Sequence, residues 1–225
     1  TRLPAVMPAA EAVREPILRH LGRPLRDRDF TRFMLFTMAI GFGTLCGFAY
    51  AVPFLRRDMQ FPGDATLFAS LFVGIGSIVS LVFWGKLTDR LGNRFTFLLS
   101  IMTRVLAMVV LALAPSYPQA GQAAIAVAGF SFFFFGVGLS GGQMGFTVRL
   151  MHIAPTEHRA AYMNVFFTFT GLSNALAVTL GGLIIELLPE TVTIRGTQVE
   201  TMRIFFVGAV GWLMLTMSAL RFLPP

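Results

Sequence analysis

Six stretches of predominantly apolar residues follow one another along the chain, roughly over 32–55, 66–84, 95–114, 123–147, 162–187 and 204–223, and they leave few folds open. A helix needs about 20 such residues to cross the hydrocarbon core of a bilayer. Only helices and closed barrels satisfy their own backbone polar groups there. A large soluble helical bundle would require polar stripes on most of its helices, and these segments lack them. With 13% charged residues and a mean hydropathy of +0.72, the chain is far from the roughly 25% charge of ordinary soluble domains. The expected fold class is therefore an all-α polytopic membrane protein.

The formal net charge of +7 does not point to nucleic acid, because the basic residues are dispersed through short connections and form no long polybasic tract with interleaved aromatics. Their distribution reports sidedness instead. Arg2, Arg14, Arg19, Arg23, Arg26, Arg28 and Arg32 precede the first span, Lys86, Arg90 and Arg94 separate the second and third, Arg149 and Arg159 the fourth and fifth, and Arg221 follows the last. The other side carries Arg56, Arg57, Arg195 and Arg203. Both ends of the segment are expected to be cytoplasmic, in a bacterial cytoplasmic (inner) membrane. Cys46 stands alone in an apolar run, so neither a disulfide framework nor a thiolate cluster forms within one chain.

The outer connections, "RRDMQFPGDA", "PSYPQAGQ" and roughly "LPETVTIRGTQVET", are short and rich in turn formers. Residues 1–30 differ: they are polar and arginine-rich, with Val13, Ile17, Leu18 and Leu21 spaced as an apolar stripe, and read as a cytoplasmic linker or an interfacial helix. Residues 31–225 are the transmembrane domain. The chain opens on Thr1 rather than an initiator Met, and further sequence is expected upstream.

The stretch "WGKLTDRLGNRF", Trp84 to Phe95, falls between the second and third spans. Gly85 is read as ending a helix, Gly92 as adopting a backbone conformation that strains other residues, and Arg90 and Arg94 as meeting lipid phosphate or carboxylates. Asp89 is harder to place, because topology asks only for positive charge on this side. A carboxylate there suits the exposed N-terminus of a neighbouring helix.

The run Gly85-Lys86-Leu87-Thr88-Asp89-Arg90-Leu91-Gly92-Asn93-Arg94 resembles the cytoplasmic signature loop of the major facilitator superfamily of secondary transporters. "PLRDRDFTRFMLF" resembles that family's entry into helix 7, and "APTEHRAAYMNVFFTFTGLSNALAVTLGGLI" its passage into helix 11. The resemblance covers nearly all of 24–223 and implies the C-terminal six-helix half, helices 7–12, of a twelve-helix transporter. It further implies two halves that rock around a central cavity by alternating access. Asp89 and its turn, with Gly85, Arg90, Gly92 and Arg94, would hold the cytoplasmic face closed against Glu157 and Arg159 at the start of helix 11. Thr156 would cap that helix, and Arg159 would pair with Asp89 or Glu157, either as a latch or as a plain salt bridge.

The resemblance also implies that helices 7, 8, 10 and 11 line the cavity while 9 and 12 are peripheral. Among their polar residues, which include Thr37 and Thr44, Gln143 and Asn174 have the largest hydrogen-bonding capacity, with Tyr50 as an outer gate or stacking surface. Each has the alternative of an interhelical polar contact. Arg104 is the ionisable residue well inside a span, about 14 Å of helix beyond Phe95, and an intramembrane charge is a candidate functional group. On helix 9 its alternatives are pairing with carbonyls or polar neighbours, and anion binding. No Asp or Glu lies deep in a span, so a carboxylate proton relay is not expected in this half, and proton coupling would run through the missing half. The glycine pairs Gly138/Gly142 and Gly141/Gly145, with Gly171, Gly181 and Gly182, read as close helix packing.

His20, His152 and His158 form no compact ligand motif, and neither a nucleophile elbow nor a phosphate-binding loop occurs, so enzyme chemistry, cofactors and metal are not expected. The expected partners are a small-molecule solute, membrane lipid and an N-terminal six-helix half. The competing readings are a nontransporting receptor or chaperone on the same fold, and a six-helix half that dimerises.

Overall fold

The computed structural model describes Gly22 and residues 24–189, 191–194 and 197–218. The stripe expected around Val13 and Leu21 lies outside them. Among the described residues, six helical spans are long and apolar enough to cross a membrane.

The first span begins at α1 (Arg28–Phe48), where the Asp27 carboxylate accepts hydrogen bonds from the backbone N–H groups of Asp29 at 3.0 Å and Phe30 at 3.3 Å. These donors have no partner within the helix, so the cap fixes its start. The span breaks at Ala49 and Tyr50 and resumes as α2 (Ala51–Arg57). Pro53 accounts for the break, since its ring excludes the carbonyl four residues back and it has no N–H to donate.

The second span, α3 (Gly63–Leu91), runs straight through Gly85. The expectation that Gly85 ends the helix is therefore corrected: a Cβ there would meet only Met144 at an ordinary 3.6 Å, and nothing in its place forces a stop. Gly92 is the stop, with φ at +80°, and α4 (Asn93–Ala112) starts directly after it. A short α5 (Tyr117–Ala120) and Gly121 lead into α6 (Gln122–Ile153). A 3-10 turn (Thr156–His158) precedes α7 (Arg159–Leu187). Thr156 makes no capping hydrogen bond, because that extra turn separates it from the helix proper.

The last connection, rich in turn formers, also holds regular structure. It contains an antiparallel hairpin of β1 (Thr191–Ile194) and β2 (Thr197–Glu200), with Thr191 opposite Glu200 and Ile194 opposite Thr197. The bundle closes with α8 (Thr201–Ser218).

Helix α6 packs against both α3 and α4, α1 packs against α7, and α8 bridges α1 and α4, whereas α6 and α7 barely meet. Close approach of α3 and α6 depends on glycine: a Cβ at Gly76 or Gly136 would overlap the carbonyl of Phe133 or Val73, respectively. Ser77 donates to the Gly136 carbonyl at 3.0 Å, and the Trp84 indole donates to the Val137 carbonyl at 2.8 Å. Each such contact contributes about 0.6 kcal/mol in membrane proteins.

An aromatic core at the arginine-rich end joins α1, α4 and α7, with Phe33 stacked on Phe166 at 5.7 Å. A second core around Phe54, Phe132 and Phe206 serves the opposite end. The Arg203 guanidinium there donates to the carbonyls of Ala112 at 2.7 Å and Ala114 at 3.0 Å, and pairs with Glu200 at 2.8 Å. It thereby satisfies the end of α4 and holds that helix in register.

Candidate solute cavity

The weak contact between α6 and α7 leaves a cavity of about 350 Å³ whose walls come from α1, α4, α6 and α7. Its polar contributors include Thr37, Thr44, Arg104, Gln143, Thr170 and Asn174, and its apolar wall includes Phe146, Phe166 and Phe167. Gln143, Phe167 and Gly171 are exposed and mark its mouth.

Arg104 reaches the cavity because α6 has no side chains in its path. Ser100, Arg104 and Met108, one helical turn apart, are buried on the face of α4 turned toward its neighbours. Opposite them are Gly138 and Gly142 of α6. A Cβ at Gly138 would lie 2.7 Å from Arg104 Cγ, and one at Gly142 would overlap Nη2. The four-residue glycine spacing is therefore a channel for the arginine as well as a helix contact. Nε and Nη2 donate to the Gly138 carbonyl at 3.1 and 2.9 Å, and Nη1 donates to Thr44 Oγ1 at 3.3 Å. A guanidinium has five N–H donors, so one further N–H on each terminal nitrogen is uncommitted. Arg104 is 2% exposed, and no carboxylate among the described residues pairs with it.

The two amides are equally uncommitted. Asn174 faces Gly41 of α1, where a Cβ would come within 2.5 Å of its Oδ1. That oxygen is buried and has no hydrogen-bond partner. Arg104, Gln143 and Asn174 are thus brought to one cavity. Tyr50 is not among its lining residues: its hydroxyl donates to the Val178 carbonyl and its ring rests on Gly181 and Gly182. The expectation that Gly171 serves close helix packing is corrected: a Cβ there meets nothing within 4 Å, so it shapes the mouth instead.

Asp89 and Arg90 occupy the last turn of α3 and are exposed. The turn is held by its uncharged residues: the Thr88 and Thr96 hydroxyls meet at 3.0 Å, and Asn93 donates to the Gly145 carbonyl at 3.1 Å. Asp89 makes no hydrogen bond or ion pair in this conformation, and Arg159 Nε is buried without a hydrogen-bond partner. The expected pairing of Arg159 with Asp89 or Glu157 is therefore absent from this conformation. A different tie joins this end of the bundle: the Tyr162 hydroxyl on α7 donates to Asp27 Oδ2 at 3.3 Å.

Phe146, Phe166 and Phe167 carried no signal in the sequence, because a cavity-facing aromatic and a lipid-facing one look alike there. Thr44 had only the general signal of a polar residue on a cavity helix. Its role beside the guanidinium depends on how α1 is rotated.

A sequence profile described as Major Facilitator Superfamily matches residues 4–178. Among solved structures the chain is similar to the crystal structure of a mutant of the nucleoside transporter NupG, with a TM-score of 0.71 and 15% identity over 96% of this chain and 54% of that one. The chain spans about half the length of that transporter, and at this identity the likeness is one of fold. No curated protein matches the chain by sequence.

Proposed function

The chain belongs to the major facilitator superfamily, and on that premise we propose that it carries a small solute across the membrane by alternating access, supplying one wall of the pathway. The observation that carries this reading is the convergence of Arg104, Gln143 and Asn174 on one cavity from three helices. Polar groups are costly inside a bilayer unless paired, and Gln143 and Asn174 make no side-chain hydrogen bond there. A bound solute would give them partners.

The other wall would be a second six-helix half covering the mouth at Gln143 and Gly171. The 54% coverage of the similar transporter supports that arrangement. The arginine-rich end would face the cytoplasm, following the placement of Lys86, Arg90, Arg94 and Arg149. Asp89 would engage the start of α7 in the conformer closed on that side, and its unpaired state here fits a conformer in which the latch is released.

The test is uptake into proteoliposomes holding the full-length chain, with exchange against solute trapped inside. Saturable uptake lost on combined replacement of Gln143 and Asn174 by Ala is expected. Binding without any vectorial uptake would favour a receptor instead.

A further inference from the structure

We propose that the solute is a small organic anion, one carboxylate on an apolar or aromatic body, and that the carboxylate is held by the Arg104 guanidinium. This rests on the transport reading above and names the substrate class of the same cavity.

The charge balance of the cavity carries the inference. Arg104 is buried at the middle of α4, and its hydrogen-bond partners, the Gly138 carbonyl and the Thr44 hydroxyl, are both neutral. The acidic residues of the described chain lie at the two ends of the bundle: Asp27, Asp29, Asp89 and Glu157 at one, Asp58, Asp64, Glu186 and Glu200 at the other. A cation taken out of water without a counterion is strongly unfavourable, and a bound anion removes that cost.

The donors left over are of the kind that a carboxylate accepts from. Each terminal nitrogen of Arg104 keeps one N–H uncommitted, and a guanidinium offers its N–H groups in a planar fork that matches a carboxylate. The Gln143 and Asn174 amides and the Thr170 hydroxyl supply further polar groups on the same cavity. Beyond them the wall is mostly apolar, with Leu139, Phe146 and Phe166. A sugar-like solute would leave many hydroxyls unpaired against that wall, and a cation would be repelled by the guanidinium. A volume of about 350 Å³ is at the lower end of ligand cavities, which favours a small solute.

The experiment is equilibrium binding of radiolabelled benzoate, phenylacetate and hexanoate to the full-length protein, with competition by benzamide, benzylamine and uridine. At least one of the three anions is expected to bind, and the neutral and cationic competitors to be at least about a hundredfold weaker, as for loss of one partner of a buried charge pair. Arg104→Lys should weaken anion binding and Arg104→Gln abolish it. The competition series on the unaltered protein decides the matter even where Arg104→Gln, which leaves the Gly138 carbonyl without its donors, fails to fold. The proposal is overturned if none of the anions binds, if benzamide, benzylamine or uridine competes as well as they do, or if a folded Arg104→Gln binds them unchanged. Uptake of the same probes separates the two readings. Anions bound but not moved would sink transport and keep the anion site; uridine moved while no anion is recognised would do the reverse.

Discussion

The Arg104 guanidinium on α4 and the Gly138 carbonyl on α6 are joined by two hydrogen bonds, from Nε at 3.1 Å and from Nη2 at 2.9 Å. One acceptor thus takes two donors of a buried cation, and the third donor engaged goes to Thr44 on α1. Three helices are fixed around one side chain, so the cavity wall and the bundle core share the same interaction.

Gly142, against this side chain, and Gly171, at the cavity mouth, should respond unequally to substitution. Alanine is favoured over glycine in a helix by about 1 kcal/mol, yet at Gly142 the added methyl overlaps Nη2. Gly142→Ala is expected to lower stability by about 1–3 kcal/mol net through overpacking. Gly171→Ala, with open space around it, should hold or raise thermal stability while altering KM for the solute. Equal melting losses at both positions would contradict the geometry.

Trp84 tests the contact between α3 and α6. It is fully buried, lies against Gly141 and donates to the Val137 carbonyl. Trp84→Phe removes the hydrogen bond and keeps a ring, for an expected loss of about 0.6 kcal/mol. Trp84→Ala opens a cavity and should cost about 3–5 kcal/mol. Unfolding in a denaturing detergent series measures both, and similar losses for the two variants would mean that the hydrogen bond rather than the packing dominates.

Asp89→Asn should behave as a transport variant. The carboxylate is exposed and makes no ion pair in this conformation, so its loss is expected to change stability by no more than about 0.5 kcal/mol. Uptake should slow as the equilibrium between the two cavity orientations shifts. Uptake at the original rate, at normal abundance, would remove Asp89 from the conformational cycle.

Tyr50→Phe should separate packing from recognition. The hydroxyl is engaged with the Val178 carbonyl and the residue lies outside the cavity wall. A small stability loss of about 0.6 kcal/mol with unchanged KM is expected. A raised KM at unchanged stability would put Tyr50 in contact with solute.

The spans were legible because about 20 apolar residues in a row have few other uses. Their ends were less so. Gly85 and Gly92 are the same residue type seven positions apart in a polar turn, and only the backbone conformation, φ of +80° at Gly92, distinguishes the stop from an ordinary helical position. The outer hairpin had a signal in Thr191, Val192, Thr193 and Ile194, a β-branched run before an Arg-Gly pair, which the surrounding turn formers obscured. Arg104 was conspicuous as a charge in an apolar helix, but its direction was not readable. A helix apolar on all sides does not reveal which face meets protein, so the link from Gly138 and Gly142 to Arg104, and from Arg104 to the cavity, required the packed bundle.

The central claim is that the cavity beside Arg104 is exposed in turn to both sides of the membrane. Gly171 lines it with nothing within 4 Å of an added Cβ, so Gly171→Cys in a Cys46→Ala background places a reporter at its mouth. Labelling by a membrane-impermeant maleimide in right-side-out and inside-out vesicles reads the exposure directly. Reaction from both sides, with solute shifting the ratio, is the predicted result. Reaction from one side alone, unaffected by solute in either orientation, would contradict alternating access.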